Sequence, residues 1–286
     1  SSGEKPASAG TSTTRKETGS EWLKNRDTQN IEGVKTMSDR YVSYTISDSI
    51  AVLTFDNPPL NAFTAPVKEQ FYAALKELES RIKEIHVLVI TGAGKAFIAG
   101  ADIKSFPEMT PEKARDRLKV SKEMFLKLER FERPTICAIN GFCFGAGVEM
   151  AMCCDLRVAS VKAQLGQLEV NLGIIPGAGG TQRLPRLVGP GVAKQMIYTG
   201  SILTANEALE IGLINKVVEH EQLMDEVMKM STLIAKKSPL ALRAAKESID
   251  RGLNVPLEEG LEIEAWLWSS LCGTKDQKEG ALAFLE

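Results

Sequence analysis

Histidine is scarce in this 286-residue chain: only His86 and His220 occur. Neither has a Cys or His partner at metal-ligand spacing, so the pattern offers no metal site and no Ser-His-Asp triad. His86 sits in an apolar run from Glu84 to Ile90 and His220 in a polar stretch; both read as structural. Cysteine is sparse and odd in number, at positions 137, 143, 153, 154 and 272, with four of the five in apolar stretches. That argues for buried free thiols in a reducing compartment, hence a cytoplasmic protein, and against a disulfide framework. Net charge is nearly absent: 35 Lys and Arg against 37 Asp and Glu leave −2. Without a basic excess, nucleic acid is not an expected partner. No apolar run approaches the roughly 20 residues of a membrane span, so no membrane partner is expected either. What the chain does have is 43% hydrophobic and 25% charged residues. That is enough for a sizeable core, which excludes a wholly disordered or fibrous protein.

Organisation changes along the chain. Residues 1–36 are rich in Ser, Thr, Gly, Lys and Glu and read as a flexible leader. Glu4, Glu17, Glu21, Asp27 and Glu32 argue against a mitochondrial transit peptide, and no apolar stretch marks a secretory signal. Met37 fits a natural start. From Tyr41, two strands (41–46 and 50–55) precede a break at Asn57-Pro-Pro. Amphipathic helices are expected near 66–83 and 111–131, and an apolar helix at 145–154. Buried strands are expected at 86–90, 135–139 and 155–159. Alternation of strands and long helices predicts an α/β fold with parallel strands joined by right-handed crossovers. After Gly189 the pattern reads as nearly all helix. The domain reading is an α/β core over 37–190 and a helical part over 191–286 serving as lid, oligomer surface or both.

Three segments carry candidate chemistry. In Gly141–Asp155 a glycine-rich turn runs into an apolar helix whose one acid is Glu149. A carboxylate there must be paired, protonated or solvated in a cleft. The turn Gly145-Ala146-Gly147 offers free N–H groups at a helix start, and Ala146 and Glu149 share a helix face. In Thr91–Lys104, small residues Ala99, Gly100 and Ala101 permit close backbone approach by a ligand, although an ordinary loop explains them equally. The spacing fits neither a P-loop nor a dinucleotide fingerprint. In Gln164–Arg183, Glu169 lies among Leu168, Val170 and Leu172, before a Pro-Gly-Ala-Gly-Gly turn. Taken alone, that acid reads as solvated and those glycines as a turn.

In order along the chain, these segments together resemble the crotonase (enoyl-CoA hydratase/isomerase) superfamily, and enoyl-CoA hydratase most. Asn57-Pro-Pro-Leu-Asn-Ala62 resembles its early signature, Ala96–Lys104 its first oxyanion motif, Asn140–Asp155 its second oxyanion and first glutamate motif, and Gln167–Arg183 its second glutamate motif. The resemblance runs from about Tyr41 to the C-terminus. It implies a spiral of ββα units with a helical C-terminal part, assembled as a homotrimer or homohexamer. It implies acyl-CoA substrates, with coenzyme A part of the substrate and no separate cofactor or metal. By position, the amides of Ala101 and Ala146 would form an oxyanion hole, and Glu149 and Glu169 would be the catalytic carboxylates. Ala62, Ala99, Ala101, Asp102, Ile103 and Lys104 would contact coenzyme A. Alanine at 146 departs from the family's usual glycine but keeps the N–H. The family often continues with a basic tail beyond the position of Glu286, so Lys104 and nearby lysines are expected to carry more of the phosphate attraction. The implied activity is reversible hydration of a 2-enoyl-CoA in fatty acid β-oxidation. The alternatives are an isomerase, a hydratase for alicyclic or dienoyl thioesters, a non-catalytic acyl-CoA or RNA binder, and, more remotely, a helical assembly protein.

Overall fold

The structure, a computed structural model, describes residues 40–104 and 106–286. The expected leader and Met37 lie outside the described residues. The chain opens with an antiparallel hairpin of β1 (Val42–Ser47) and β2 (Ile50–Phe55), turned by Asp48 and Ser49, both at positive φ. Such left-handed pairs match the twist of a two-residue hairpin turn. Helix α1 (Ala65–Ser80) follows and buries Val67, Phe71, Ala74, Leu75 and Leu78 on one face, as its helical spacing predicts.

Three turns of a spiral come next, each built the same way. The first is β3 (Val87–Gly92), β4 (Ala96–Ile98) and α2 (Pro111–Glu129). The second is β5 (Thr135–Ile139), β6 (Phe142–Phe144) and α3 (Ala146–Ala151). The third is β7 (Leu156–Ser160), β8 (Gln164–Gly166) and α4 (Gly180–Val188). The first strand of each turn joins a large sheet and the second a small one. Helix α5 (Pro190–Thr199) leads to β9 (Ile202–Thr204), α6 (Ala205–Glu210) and β10 (Lys216–Val218). The large sheet then runs β1-β2-β3-β5-β7-β10, parallel from β2 onward. The small sheet runs β4-β6-β8-β9, with only β9 antiparallel. This is the expected α/β spiral of ββα units. The reading of a nearly all-helical region after Gly189 missed two short strands: β9 and β10 lie there and add an edge strand to each sheet. Both are three residues long, too short to show an alternation of their own.

The inner large-sheet strands β2, β3, β5 and β7 are buried on both faces, which explains their apolar runs. Val87, Val89, Ile136, Ala138 and Val158 pack under α7 (Leu223–Ala235), through Leu223 and Val227. Leu88, Ile90, Cys137, Ile139 and Ala159 face the main core with α1, α2 and the small sheet. A chain of edge and tilted ring contacts joins Phe55, Phe63, Phe71 and Phe97, and Phe63 stacks on Phe125. Successive spiral turns touch backbone to backbone at Gly147, where a β-carbon would stand 2.2 Å from the Ile98 carbonyl oxygen. Any side chain there would force the two turns apart.

The C-terminal part is helical: α8 (Pro239–Gly252), α9 (Leu257–Leu271) and α10 (Lys275–Leu285). Lys246 of α8 donates to Asp155 Oδ2 at 3.0 Å, and the same oxygen accepts from the backbone N–H of Thr135 at 2.7 Å. The C-terminal helices are thereby tied to the starts of β5 and β7. Among the described residues no helix is long and apolar enough to cross a membrane. Four cysteines are buried and free, as their apolar settings predict, and Cys272 is exposed. His86 Nδ1 meets the Ala235 carbonyl oxygen and His220 Nδ1 meets Ser160 Oγ, each at 2.9 Å, so both histidines do structural work.

Phe55 is wholly buried at the centre of the ring cluster. Phe55→Ala is expected to lower unfolding free energy by about 3–5 kcal/mol, read from the denaturant midpoint at unchanged slope.

Candidate active site

Parallel strands deliver their C-terminal ends to one edge of a sheet, and loops leaving that edge are free to meet a ligand. In the small sheet the loops after β4, β6 and β8 carry the predicted residues. Ala101 follows β4, the Gly145-Ala146 turn follows β6, and Gln167 and Glu169 follow β8.

The first loop is set by Asn61. Its side-chain nitrogen donates to the Ala93 and Ala96 carbonyls at 3.0 and 2.7 Å, and its oxygen accepts from the Asn57 N–H at 2.8 Å. The Asn57–Ala62 loop is thus stitched to the β3–β4 turn. Asn140 donates to the Gly94 and Ala96 carbonyls at 3.1 and 3.2 Å, from the second spiral turn. So anchored, Phe63 donates its N–H to Gly100 O at 2.9 Å and bridges with Ala101 in parallel. Ala99 donates to Leu60 O at 3.1 Å. Among the described residues the Ala101 N–H has no acceptor within the chain. Asp102 accepts from the Lys104 N–H at 3.1 Å, while Ile103 and Lys104 are exposed.

The second loop ends in α3, whose first residue is Ala146. First-turn N–H groups have no intrahelical acceptor, and no side chain caps this helix. The expected helix at 145–154 is real but shorter, because Met152 to Asp155 turn out of it toward β7.

Glu149 lies in the same turn of α3, at 3% exposure. Its Oε1 accepts from the N–H groups of Ala178 and Gly180 at 2.7 and 2.8 Å. Gly180 begins α4, so the carboxylate sits on a helix N-terminus. Burial pushes its pKa up, against the two backbone donors, Arg183 and Lys68. Arg183 holds the loop in place: it donates to Ala178 O at 3.1 Å and grips Glu129 of α2 with two 2.8 Å bonds.

Glu169 approaches from the third loop. A β-carbon on Gly145 would come within 2.9 Å of its Oε1, so the carboxylate lies directly over the start of α3. Gly145 also has φ 51, a conformation that favours glycine. Gln167, fully buried, sets its amide 3.0 and 2.9 Å from the two Glu169 oxygens, a contact satisfied with the amide nitrogen assigned to that side. Burial raises the Glu169 pKa to about 7, its own backbone N–H opposes this, and the charge of Glu149 adds to the rise.

The structure therefore brings Glu149, Glu169 and Ala146 together, with the Ala101 loop on the adjoining strand. Ala99, Asp102, Ile103 and Lys104 lie on that loop, and Ala62 on the Asn57–Ala62 loop stitched beside it. Sequence reasoning missed Asn61 as an anchor, Gln167 as a partner of Glu169, and the Arg183–Glu129 clamp. Asn61 and Gln167 lay inside quoted motifs, but nothing in a residue's letter says which carbonyl its amide will meet.

A family model described as enoyl-CoA hydratase/isomerase matches residues 45–286. This chain belongs to the enoyl-CoA hydratase/isomerase family. It is 47% identical over 203 residues to a crotonyl-CoA hydratase of Syntrophomonas wolfei, covering 71% of this chain and 78% of that protein. It is 42% identical over 239 residues to a short-chain-enoyl-CoA hydratase of Clostridium acetobutylicum, covering 83% and 91%. A crystal structure of enoyl-CoA hydratase from Bacillus anthracis superposes with a TM-score of 0.82 at 37% identity, covering 86% of this chain and 96% of that one.

Glu169 binds its proton more tightly in the folded chain, at about 7 against an ordinary 4.5. Its stabilising contribution is full below the ordinary value and is lost as pH rises through about 7. Glu169→Gln is expected to shrink the fall in Tm between pH 5 and pH 8, measured side by side with the wild type.

Proposed function

We propose that this protein catalyses the reversible addition of water to a 2-enoyl-CoA thioester, giving a 3-hydroxyacyl-CoA. The observation that carries this reading is the pair of acids, buried Glu149 and half-buried Glu169, beside the Ala101 and Ala146 N–H groups, which have no acceptor among the described residues. Burial raises the pKa of both acids, which suits a pair that must take a proton from water and supply one to carbon.

The roles follow from the environments. The thioester oxygen accepts from the Ala101 and Ala146 N–H groups, which stabilise the negative charge it gains as the enolate forms. Glu149, its anion held by Ala178 and Gly180, takes a proton from the attacking water as oxygen bonds to carbon 3. Glu169, protonated up to about pH 7, delivers a proton to carbon 2. The two carboxylates interact, so their titration belongs to the pair. The reaction is redox neutral, and coenzyme A arrives as part of the substrate, so no further cofactor is needed. Ala62, Ala99, Ala101, Asp102, Ile103 and Lys104 would run along the coenzyme A arm. A homotrimer or homohexamer is supported by the apolar surface of the C-terminal helices, where Trp266 and Trp268 are 66% and 68% exposed. The near-neutral charge supports no role with nucleic acid, and the buried thiols fit a cytoplasmic setting, with fatty acid β-oxidation as the pathway.

Glu149→Gln and Glu169→Gln are each expected to lower kcat on crotonyl-CoA by about 10²–10⁴-fold, read from loss of the conjugated thioester absorbance. Full activity in both variants would sink the two-acid reading. Ala146→Pro offers a sharper test, because proline is tolerated at the first helical position but has no N–H. Retained folding with a kcat loss of about 10²–10³-fold is expected; unchanged kcat would remove that amide from the mechanism.

A further inference from the structure

Lys68 stands in the first turn of α1, half-buried. Its Nζ donates to Ser121 Oγ of α2 at 3.1 Å and lies 5.4 Å from the centre of the Phe63 ring. None of the ion pairs among the described residues involves it. A half-buried ammonium with only a hydroxyl and a ring for company is costly to the folded chain. Burial and the charge of Arg117 bring its pKa down to about 8, while Glu149 pulls the other way.

Its surroundings belong to the candidate active site. The Phe63 beneath it pairs with Ala101. Arg117, one helical turn before Ser121, donates to Asp102 O at 2.9 Å and lies 5.1 Å from the centre of the Phe106 ring. Ser121 Oγ donates in turn to Arg117 O at 3.2 Å. Two cations on neighbouring helices therefore flank the 101–102 backbone, and one of them, Lys68, is in electrostatic reach of Glu149. Positive charge collected in a cleft between low-dielectric walls attracts an anion.

We propose that Lys68, held by Ser121, receives a carboxylate at the far end of the acyl chain, so that the preferred substrate is an enoyl thioester bearing a second acidic group. This rests on the hydratase reading and names its substrate class. A substrate dianion entering beside Glu149 and Glu169 would meet repulsion, and Lys68 offsets it while completing its own pairing. Coenzyme A phosphates are the other source of negative charge near this loop. Ile103 and Lys104 are exposed, however, whereas Lys68 is half-buried and coupled by charge to Glu149, the acid proposed to act on carbon 3 of the acyl chain.

The test uses the full-length wild type and Lys68→Met. Binding of the unreactive thioesters glutaryl-CoA and butyryl-CoA is measured by calorimetry, and hydration of glutaconyl-CoA and crotonyl-CoA by absorbance. Wild type is expected to favour the carboxylated member of each pair, and Lys68→Met to weaken that member about 10- to 100-fold more than the uncharged one. Circular dichroism establishes that the variant is folded, and Ser121→Ala provides a second variant with the same expected direction. Equal binding of glutaryl-CoA and butyryl-CoA by wild type overturns the proposal. An equal loss for both thioesters in Lys68→Met, with free coenzyme A weakened alike, also overturns it and assigns the cation to the phosphates. Absence of hydration with selective glutaryl-CoA binding overturns the reaction and leaves the anion receptor standing.

Discussion

A carboxylate removed from water must find donors inside the protein, and Glu149 finds two that lie 29 and 31 residues away in sequence. Those bonds decide more than the state of one side chain. They pin the start of α4 against α3, and Arg183 carries the constraint on to Glu129 of α2. Three helices from three spiral turns are thus held around one acid. Glu169 is then positioned by what remains: Gly145 leaves room beneath it and Gln167 binds it from the side. The electrostatic asymmetry between the two acids follows from packing, since one meets amides at a helix start and the other a neutral side-chain amide.

The strands that feed this site are short. The edge strand β4 and its partners β6 and β8 hold three residues each, yet the segments that leave them carry every predicted residue except Ala62. They can be short because the large sheet beside them carries the core. The repeating strand-strand-helix unit lets one sheet specialise in burial and the other in presenting loops.

Legibility followed the length of each pattern. The long apolar runs of β2, β3, β5 and β7 and the periodic faces of α1 and α2 were readable in the sequence. The small sheet was not, because three residues cannot display an alternation and its strands are defined only by partners elsewhere in the chain. Helix α4 was hidden behind the glycines that precede it and a proline inside it. Glu149 stood out because it is charged in an apolar helix. Glu169 did not, and only the resemblance to a family singled it out, since its surroundings depend on Gly145 arriving from another loop and on Gln167 of its own loop turning toward it. Lys68 gave no signal at all: one lysine on an amphipathic helix looks solvated until the helix beside it closes over the stem.

The double burial of the large sheet has a consequence for how the chain emerges from the ribosome. Val87, Val89, Ile136 and Val158 form one side of that sheet, and the helix that covers them begins only at Leu223. Until that helix leaves the exit tunnel, a nascent chain with its first strands already paired exposes a bare valine and isoleucine surface. Such a surface invites association with other chains, so a chaperone or slow translation through the middle of the message would serve this fold. Truncations ending before Leu223 would carry the same liability permanently.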